Sequence, residues 1–589
     1  MTTPQIKIKL DRKYFIEEPH IIVFEDGGTW YAIDTRTKAI LKSSTSKDDV
    51  VKYVFDNAYD NSIIAFRSPR PYRYFKPKYV SGGYDLSQLT FKIKKVNRFV
   101  LPYDDPELSI PITDQRFVFS DDVLLLTYLA QSGSTSISVG NGVATITGTG
   151  TGFNEGHYLY SIDTLPFYLC MVLEVDSWTA TLGTNYANPM IVITKDANNN
   201  ILWLYDTYAK RFNSYRRVNG AVYDGEARLA IDISPPFKLM LLLQHRKAYC
   251  YYEKDGKIRY VGHIPDVGFD FNDPTVWRQF KIGFAGVCSQ NVSVSIRRFK
   301  VCHTLCNAVR DPSPVVDKYG APLIVNGRAY FTATLATGAD DFPSMQNALF
   351  SIDSGGNVRL ERLLITRRVD KDNKLYSDTP SRLVYDPDSD RFVAVFSGWV
   401  SESPCKLLLG FSDIDLRSRG LSVIDVKVLD IAPNKDKDAY DAALIYDLGA
   451  KRWRIVFANP WPNIYVYENA TLDYTGWVGV SGAAFTGITE GCNISKVNGK
   501  WYILLGKSDE VPYMVATDYP TLANKFALNA DKVAGGLPSP PHPGLIPMPV
   551  GNKCKYVLVC MDMTSPRANL VIMEAEQLND GYEFPILLT

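Results

Sequence analysis

The chain has 589 residues, of which 46% are hydrophobic, 12% aromatic and 22% charged. At about 150 residues per domain this length predicts several folded units, and the apolar fraction excludes wholesale disorder. The 64 basic and 64 acidic residues cancel, which argues against a nucleic-acid coat or a binder of charged membrane surfaces.

Tyrosine dominates the aromatics (36 Tyr, 28 Phe, 9 Trp), and 40 Gly with 34 Pro punctuate the sequence. That mix favours strands and turns. No run of about 18 apolar residues predicts a transmembrane helix, and MTTPQIKIKLDRKYF lacks the apolar core of a signal peptide. The expected location is therefore extracellular, through a separately removed leader, or virion-associated. The nine cysteines are widely spaced, with no CxxC pair, so buried free thiols are expected. Cys302, His303 and Cys306 read as packing at a strand end, and no metal site is expected from the cysteines.

In chain order, HIIVFED and TWYAIDT predict two strands around Gly27-Gly28. A helix over 46–58 follows, with capping-box character at Ser46–Asp49 and apolar residues Val50, Val51, Val54, Phe55 and Ala58 at helical spacing. NSIIAF is the next strand. This head, over residues 20–66, resembles the strand–helix–strand module in front of pectate-lyase-like β-helix proteins, a resemblance that bears on fold alone. RSPRPYRYFKPKYV (67–80) interleaves basic and aromatic residues, within a first hundred residues holding 18 Lys/Arg against 11 Asp/Glu. That pattern suits single-stranded nucleic acid or an anionic glycan; an extended, solvated linker is the preferred reading, with no nucleic-acid partner.

From about 110 to 306, short alternating strands recur every ten or so residues, among them the hairpin around Asn141-Gly142. Such spacing predicts a two-sheet sandwich. "KIGFAG…SVSIRRFKV" makes it similar to concanavalin-type or laminin-G-type jelly rolls, a resemblance that implies a glycan-binding or spacer role. The proline-rich VRDPSPVVDKYG (309–320) marks the next boundary. The expected division is a mixed α/β head and basic linker (1–105), a jelly roll (106–310) and a repeat domain (311–589).

The repeat rests on PSRLVYDPDSDRFVAVF (380–396), DAALIYDLGAKRWRIVF (441–457) and EGCNISKVNGKWYILL (490–505), with weaker copies at 320–333 and 542–560. Five copies at a spacing of about 50 to 60 residues predict a five-bladed β-propeller. The expected fold is all-β: propeller, jelly roll and a small α/β head. Aligned on Trp453 and Trp501, Asp441 and Glu490 head innermost strands and converge on the axis. Asp378 stands two residues before the corresponding position of the second repeat, and Asp317 one residue before that of the first. Converging carboxylates repel, and acid–base chemistry supplies a reason to keep them. Trp399 and Trp461 follow the second strands of their repeats, where indoles hold sugar rings.

"TEGCNISKVNGKWYILLG" and "AYDAALIYDLGAKRWRIVFA" resemble blades of the five-bladed propeller glycosidases of the arabinanase/β-xylosidase and anhydro-galactosidase type. The resemblance implies Glu490 as general acid, Asp441 as the group that tunes it, and Asp317 or Asp378 as general base. It also implies His542, in PPHPGLIPM, near the axis beside a water or structural cation, with no cofactor required for catalysis. Cys492 and Ala442 stand where that family has prolines. The function this implies is hydrolysis of a polysaccharide or oligosaccharide, with substrate held by Trp399, Trp461 and His542. The rival readings are a non-catalytic glycan-binding adhesin and a structural virion protein.

Overall fold

The computed structural model describes residues 19–67, 71–77, 83–97, 101–102, 118–120, 135–140, 142–152, 154–161, 169–244, 246–271, 273–302, 305–306, 308–336, 345–413, 415, 418–432, 436–459, 462–508, 512–533, 541–562 and 568–588. Strands dominate, and no helix is long and apolar enough to cross a membrane among the described residues.

In the head, Ile21–Asp26 and Thr29–Asp34 form the expected hairpin, with Gly27 and Gly28 both at positive φ. The helix runs Lys47–Asn57 and buries Val50, Val51 and Val54. Ser46 is its N-cap residue but makes no side-chain cap bond; Ser44 Oγ donates to Asp49 Oδ2 instead, at 3.0 Å. Ser62–Phe66 then pairs parallel to the first strand. Tyr72–Lys76, expected as solvated linker, is a strand of this sheet. Its aromatic residues are the reason: Tyr72 stacks on Phe66 at 4.8 Å and Tyr74 is fully buried. The rest of the basic segment lies partly outside the described residues. The chain's last strand, Ile586–Leu588, completes the sheet edge.

The middle of the chain forms two seven-stranded sheets. Their facing sides enclose one core that includes Trp203, Tyr205, Phe212, Leu241 and Phe284. Trp203 Nε1 donates to the Tyr251 carbonyl at 3.0 Å, so the buried indole keeps its polar partner. Lys281–Cys288 and Ser293–Cys302, consecutive in sequence, pair into opposite sheets. This is the jelly-roll sandwich that the alternation predicts.

Beyond residue 307 the described strands form four four-stranded antiparallel meanders and three strands of a fifth. Their first strands are Ala308–Pro314, Ser381–Asp386, Tyr440–Asp447, Ile488–Val497 and Gly544–Val550. Each of these five touches its neighbours in a closed, propeller-like ring. Leu383–Tyr385, Leu444–Tyr446 and Asn493–Ser495 lie on these inner strands, as expected.

Two features were not legible in advance. The first inner strand is Ala308–Pro314, inside the segment read as a proline-rich boundary. The 320–333 stretch instead contributes a short hairpin and the second strand, Arg328–Ala336. The last meander takes its outer strand from the other end of the chain: Thr90–Asn97 pairs with Asn569–Asp580.

Candidate functional site

Three of the five inner strands carry the same backbone device near their start. A register shift separates Arg310 from Ser313, Tyr440 from Ala443 and Glu490 from Asn493. At each shift one residue has positive φ: Asp311 at 51°, Asp441 at 53° and Gly491 at 72°. In the fifth repeat His542, at φ 40°, stands just before the strand. Such bulges re-aim side chains out of the ladder, and here they aim them at one point. In the second repeat a cis Thr379-Pro380 bond stands there instead.

The point is His542, whose ring is nearly fully buried. Its Nδ1 lies 3.4 Å from Asp311 Oδ1, and its Nε2 lies 3.3 Å from Glu490 Oε1 and 3.6 Å from Asp441 Oδ2. Gly491 N–H donates to Asp441 Oδ2 at 3.0 Å, and Asp441 N–H to Ser397 Oγ at 3.0 Å. Gly491 is obligatory, because a Cβ there would lie 2.6 Å from the imidazole. Its role is to admit the His542 ring.

Electrostatics follow from burial and proximity. Burial pulls the His542 pKa down, but Asp441, Asp311 and Glu490 overcome it and raise it to about 9, so the ring is an imidazolium at neutral pH. Burial raises the Asp441 carboxyl, and Glu490 and Asp311 add to that rise while His542 opposes it. Glu490 keeps the most exposed side chain of the four, at 14%. Asp441, Glu490 and His542 each offer a ligand atom within 4.8 Å of the others, so a cation could be held there in exchange for the imidazolium proton. The cavity at the ring centre is lined by Asp311, Asp441, Gly491 and His542 and measures about 20 Å³, room for a single water.

The structure thus brings Glu490, Asp441 and His542 together and adds Asp311, which sequence reasoning missed. The signal was present: Asp311-Pro312-Ser313 stands to its strand as Asp441-Ala442-Ala443 does. Matching on the bulge pairs Asp441 with Asp311 and Gly491, so Glu490 sits one residue earlier than the tryptophan alignment places it.

Asp317 and Asp378 are elsewhere. Asp317 pairs alongside Tyr385, whereas Pro380 and Ser381 line the cluster; four residues of strand is roughly 13 Å. It accepts from Tyr74 Oη at 2.9 Å and from the Tyr319 and Ala321 amides at 2.9 and 3.0 Å. Asp378 accepts from the Val400 and Ser401 amides and from Thr366 Oγ1. Both carboxylates are spent on holding backbone, and burial raises both pKa values. Trp399 packs against Tyr440 at 5.1 Å, one residue from Asp441. Trp461 lies outside the described residues.

No protein-family model and no curated protein matches the sequence. Solved structures are similar over parts of the chain. An α-L-arabinofuranosidase from Podospora anserina, in complex with cellotriose, is 11% identical with a TM-score of 0.31, over 46% of this chain and 91% of that one. An α-L-arabinofuranosidase from Clostridium thermocellum is 12% identical with a TM-score of 0.29, over 47% and 95%. A carbohydrate-binding module from Bacillus subtilis is 13% identical with a TM-score of 0.21, over 29% and 91%. The architecture described above rests on the chain's own strand pairing.

Proposed function

We propose that the protein is a glycoside hydrolase acting on a polysaccharide or oligosaccharide from the ring-centre cluster, in a five-bladed propeller. One observation carries this reading: three carboxylates from three different inner strands meet around one buried imidazole. Packing alone gives no reason to gather like charges, whereas glycoside hydrolysis uses a proton donor and a proton acceptor across the scissile bond. Glu490, the most exposed, protonates the leaving oxygen. Asp311 takes the base role first assigned to Asp317 or Asp378 and activates water. Asp441 shares the field that keeps a proton in the cluster, and His542 orients the acids around it. Trp399, packed on Tyr440 next to Asp441, is assigned the sugar contact. The sandwich serves as a glycan-binding module, and the setting is extracellular or virion-borne.

The test is a panel of polysaccharides and nitrophenyl glycosides, run with wild type, Glu490→Gln and Asp311→Asn. Glycan release by wild type and its loss in both variants is the expected result. A wild type inactive throughout, or a fully active Glu490→Gln, overturns the assignment. The water-sized cavity favours a second reading, a non-catalytic glycan-binding adhesin or virion protein; it predicts binding on the same panel without release.

A further inference from the structure

The cavity at the ring centre is also lined by Ser313 and Asn493. Asn493 is buried, at 3% exposure, and touches three of the strands that carry the site. Its Oδ1 accepts from Ser313 Oγ at 3.0 Å. Its Nδ2 donates to the Pro543 carbonyl at 2.8 Å and, more weakly, to the Gly491 carbonyl at 3.5 Å. Proline has no N–H to offer, so the carbonyl of Pro543 fixes the amide in one orientation.

Each of these partners stands beside a residue of the site. Ser313 lies two residues beyond Asp311, Gly491 follows Glu490, and Pro543 follows His542. One neutral amide therefore ties the first and fourth inner strands and the lead into the fifth, where they hold Asp311, Glu490 and His542. The three strands belong to three different sheets, so ladder hydrogen bonds do not supply this tie. The bulge places the pair: Ser313, Ala443 and Asn493 each stand two residues beyond the positive-φ residue of their strand. In the strand of Asp441 that position is a buried alanine, and Asp441 is held instead by Gly491 N–H and Ser397 Oγ.

The charges give the tie its purpose. Asp311, Asp441 and Glu490 repel one another, and His542, 3.3 to 3.6 Å from them, offsets that only while its ring stays between them. A charged side chain at 493 would enter this balance. An amide stays out of it and supplies a donor and an acceptor at once.

We propose that Asn493 is a positioning residue of the ring-centre site, holding Asp311, Glu490 and His542 at their separations through Ser313, Gly491 and Pro543. Its kinetic effect rests on the hydrolytic reading above; its geometric effect does not, and the two are measured separately. Crystal structures of the full chain as wild type, Asn493→Leu and Ser313→Ala read the geometry. Leucine keeps the branched shape and removes every hydrogen bond, whereas Ser313→Ala removes one. In Asn493→Leu the separation of His542 from Glu490 or Asp311 should grow by roughly 1 Å. In Ser313→Ala only the His542–Asp311 separation should grow. On the glycan that wild type cleaves, kcat should fall about 10²-fold in Asn493→Leu and about tenfold in Ser313→Ala, with KM within about twofold of wild type. A wild type that cleaves nothing removes the hydrolytic reading and leaves the crystal structures to decide. Unmoved separations in Asn493→Leu overturn the proposal. So does a lowered melting temperature with kcat unchanged, the mark of a purely structural amide. If Asn493→Leu does not fold, Ser313→Ala carries the decision, and an unmoved Asp311 there overturns the proposal.

Discussion

Asp311 and Asp317 stand six residues apart in the same proline-containing segment, yet their carboxylates face different surroundings. Asp311 faces an imidazolium at the ring centre; Asp317 is sealed beneath the head and satisfied by a phenol and two amides. If the cluster is hydrolytic, Glu490→Gln keeps the shape of the side chain and removes its transferable proton. Turnover should then fall about 10²–10⁴-fold, and the melting temperature should hold, as steady-state kinetics beside a thermal melt will show. Asp317 carries a different prediction. Burial raises its pKa to about 7, against the Tyr74, Ala321 and Tyr319 hydrogen bonds and Lys318. Its folded pKa lies above its unfolded value near 3.9, so its stabilising contribution is complete below that value and is lost as pH rises through about 7. Asp317→Asn preserves the contacts and removes the buried charge. Its melting temperature should exceed wild type at pH 8, and the gain should shrink towards pH 5. An equal shift at both values would mean that the carboxylate is not the titrating group. His542 behaves in the same sense: its pKa is raised to about 9, so the stability it lends is lost as pH climbs through that value.

The inner-strand bulge is the element on which the site depends. It needs one residue at positive φ, and only at Gly491 does that residue also have to clear the imidazole. Gly491→Ala should therefore cost more than about 1 kcal/mol in chemical denaturation, since Ala is strained at positive φ and the ring must shift. An Ala variant as stable as wild type would remove the steric argument. Strand Thr90–Asn97 shows an element whose place was not legible. Its sequence reads as alternating and half-basic, because Lys92, Lys94 and Lys95 are exposed at an outer edge. Phe91, fully buried, belongs to a core formed with residues of the last meanders. Phe91→Ala should cost about 3–5 kcal/mol, measured as a lower denaturation midpoint for the ring.

At the scale of the whole molecule, the head and the ring share one core: Val50, Val54 and Phe66 cluster with Leu323, Leu383 and Phe396. Buried polar contacts reinforce the joint, with Lys47 and Lys318 both paired to Asp388. Calorimetry of the full chain should accordingly show head and ring unfolding in one transition, separate from the sandwich with its own core. A distinct head transition would contradict that coupling.

Local sequence determined what short-range physics controls. Alternation with turn glycines set the strands, helical spacing at Val50, Val51 and Val54 set the helix, and the repeated strand–turn–aromatic unit set the meanders. It also placed Asp441 and Glu490 at strand heads, whereas His542 near the ring centre was implied by a family resemblance alone. Tertiary structure decided what depends on distant partners. Asp311 joins the cluster because closing the ring brings the first meander against the last. Asp317 leaves it because the head covers that end of the strand. Tyr72–Lys76 forms a local hairpin with Ser62–Phe66, but its other edge, and the strand Thr90–Asn97, pair with strands about five hundred residues away, in residues 569–588. No window of neighbouring residues encodes such pairings. They form because a closed ring and a completed sheet bury apolar side chains and satisfy edge hydrogen bonds that would otherwise stay open to water.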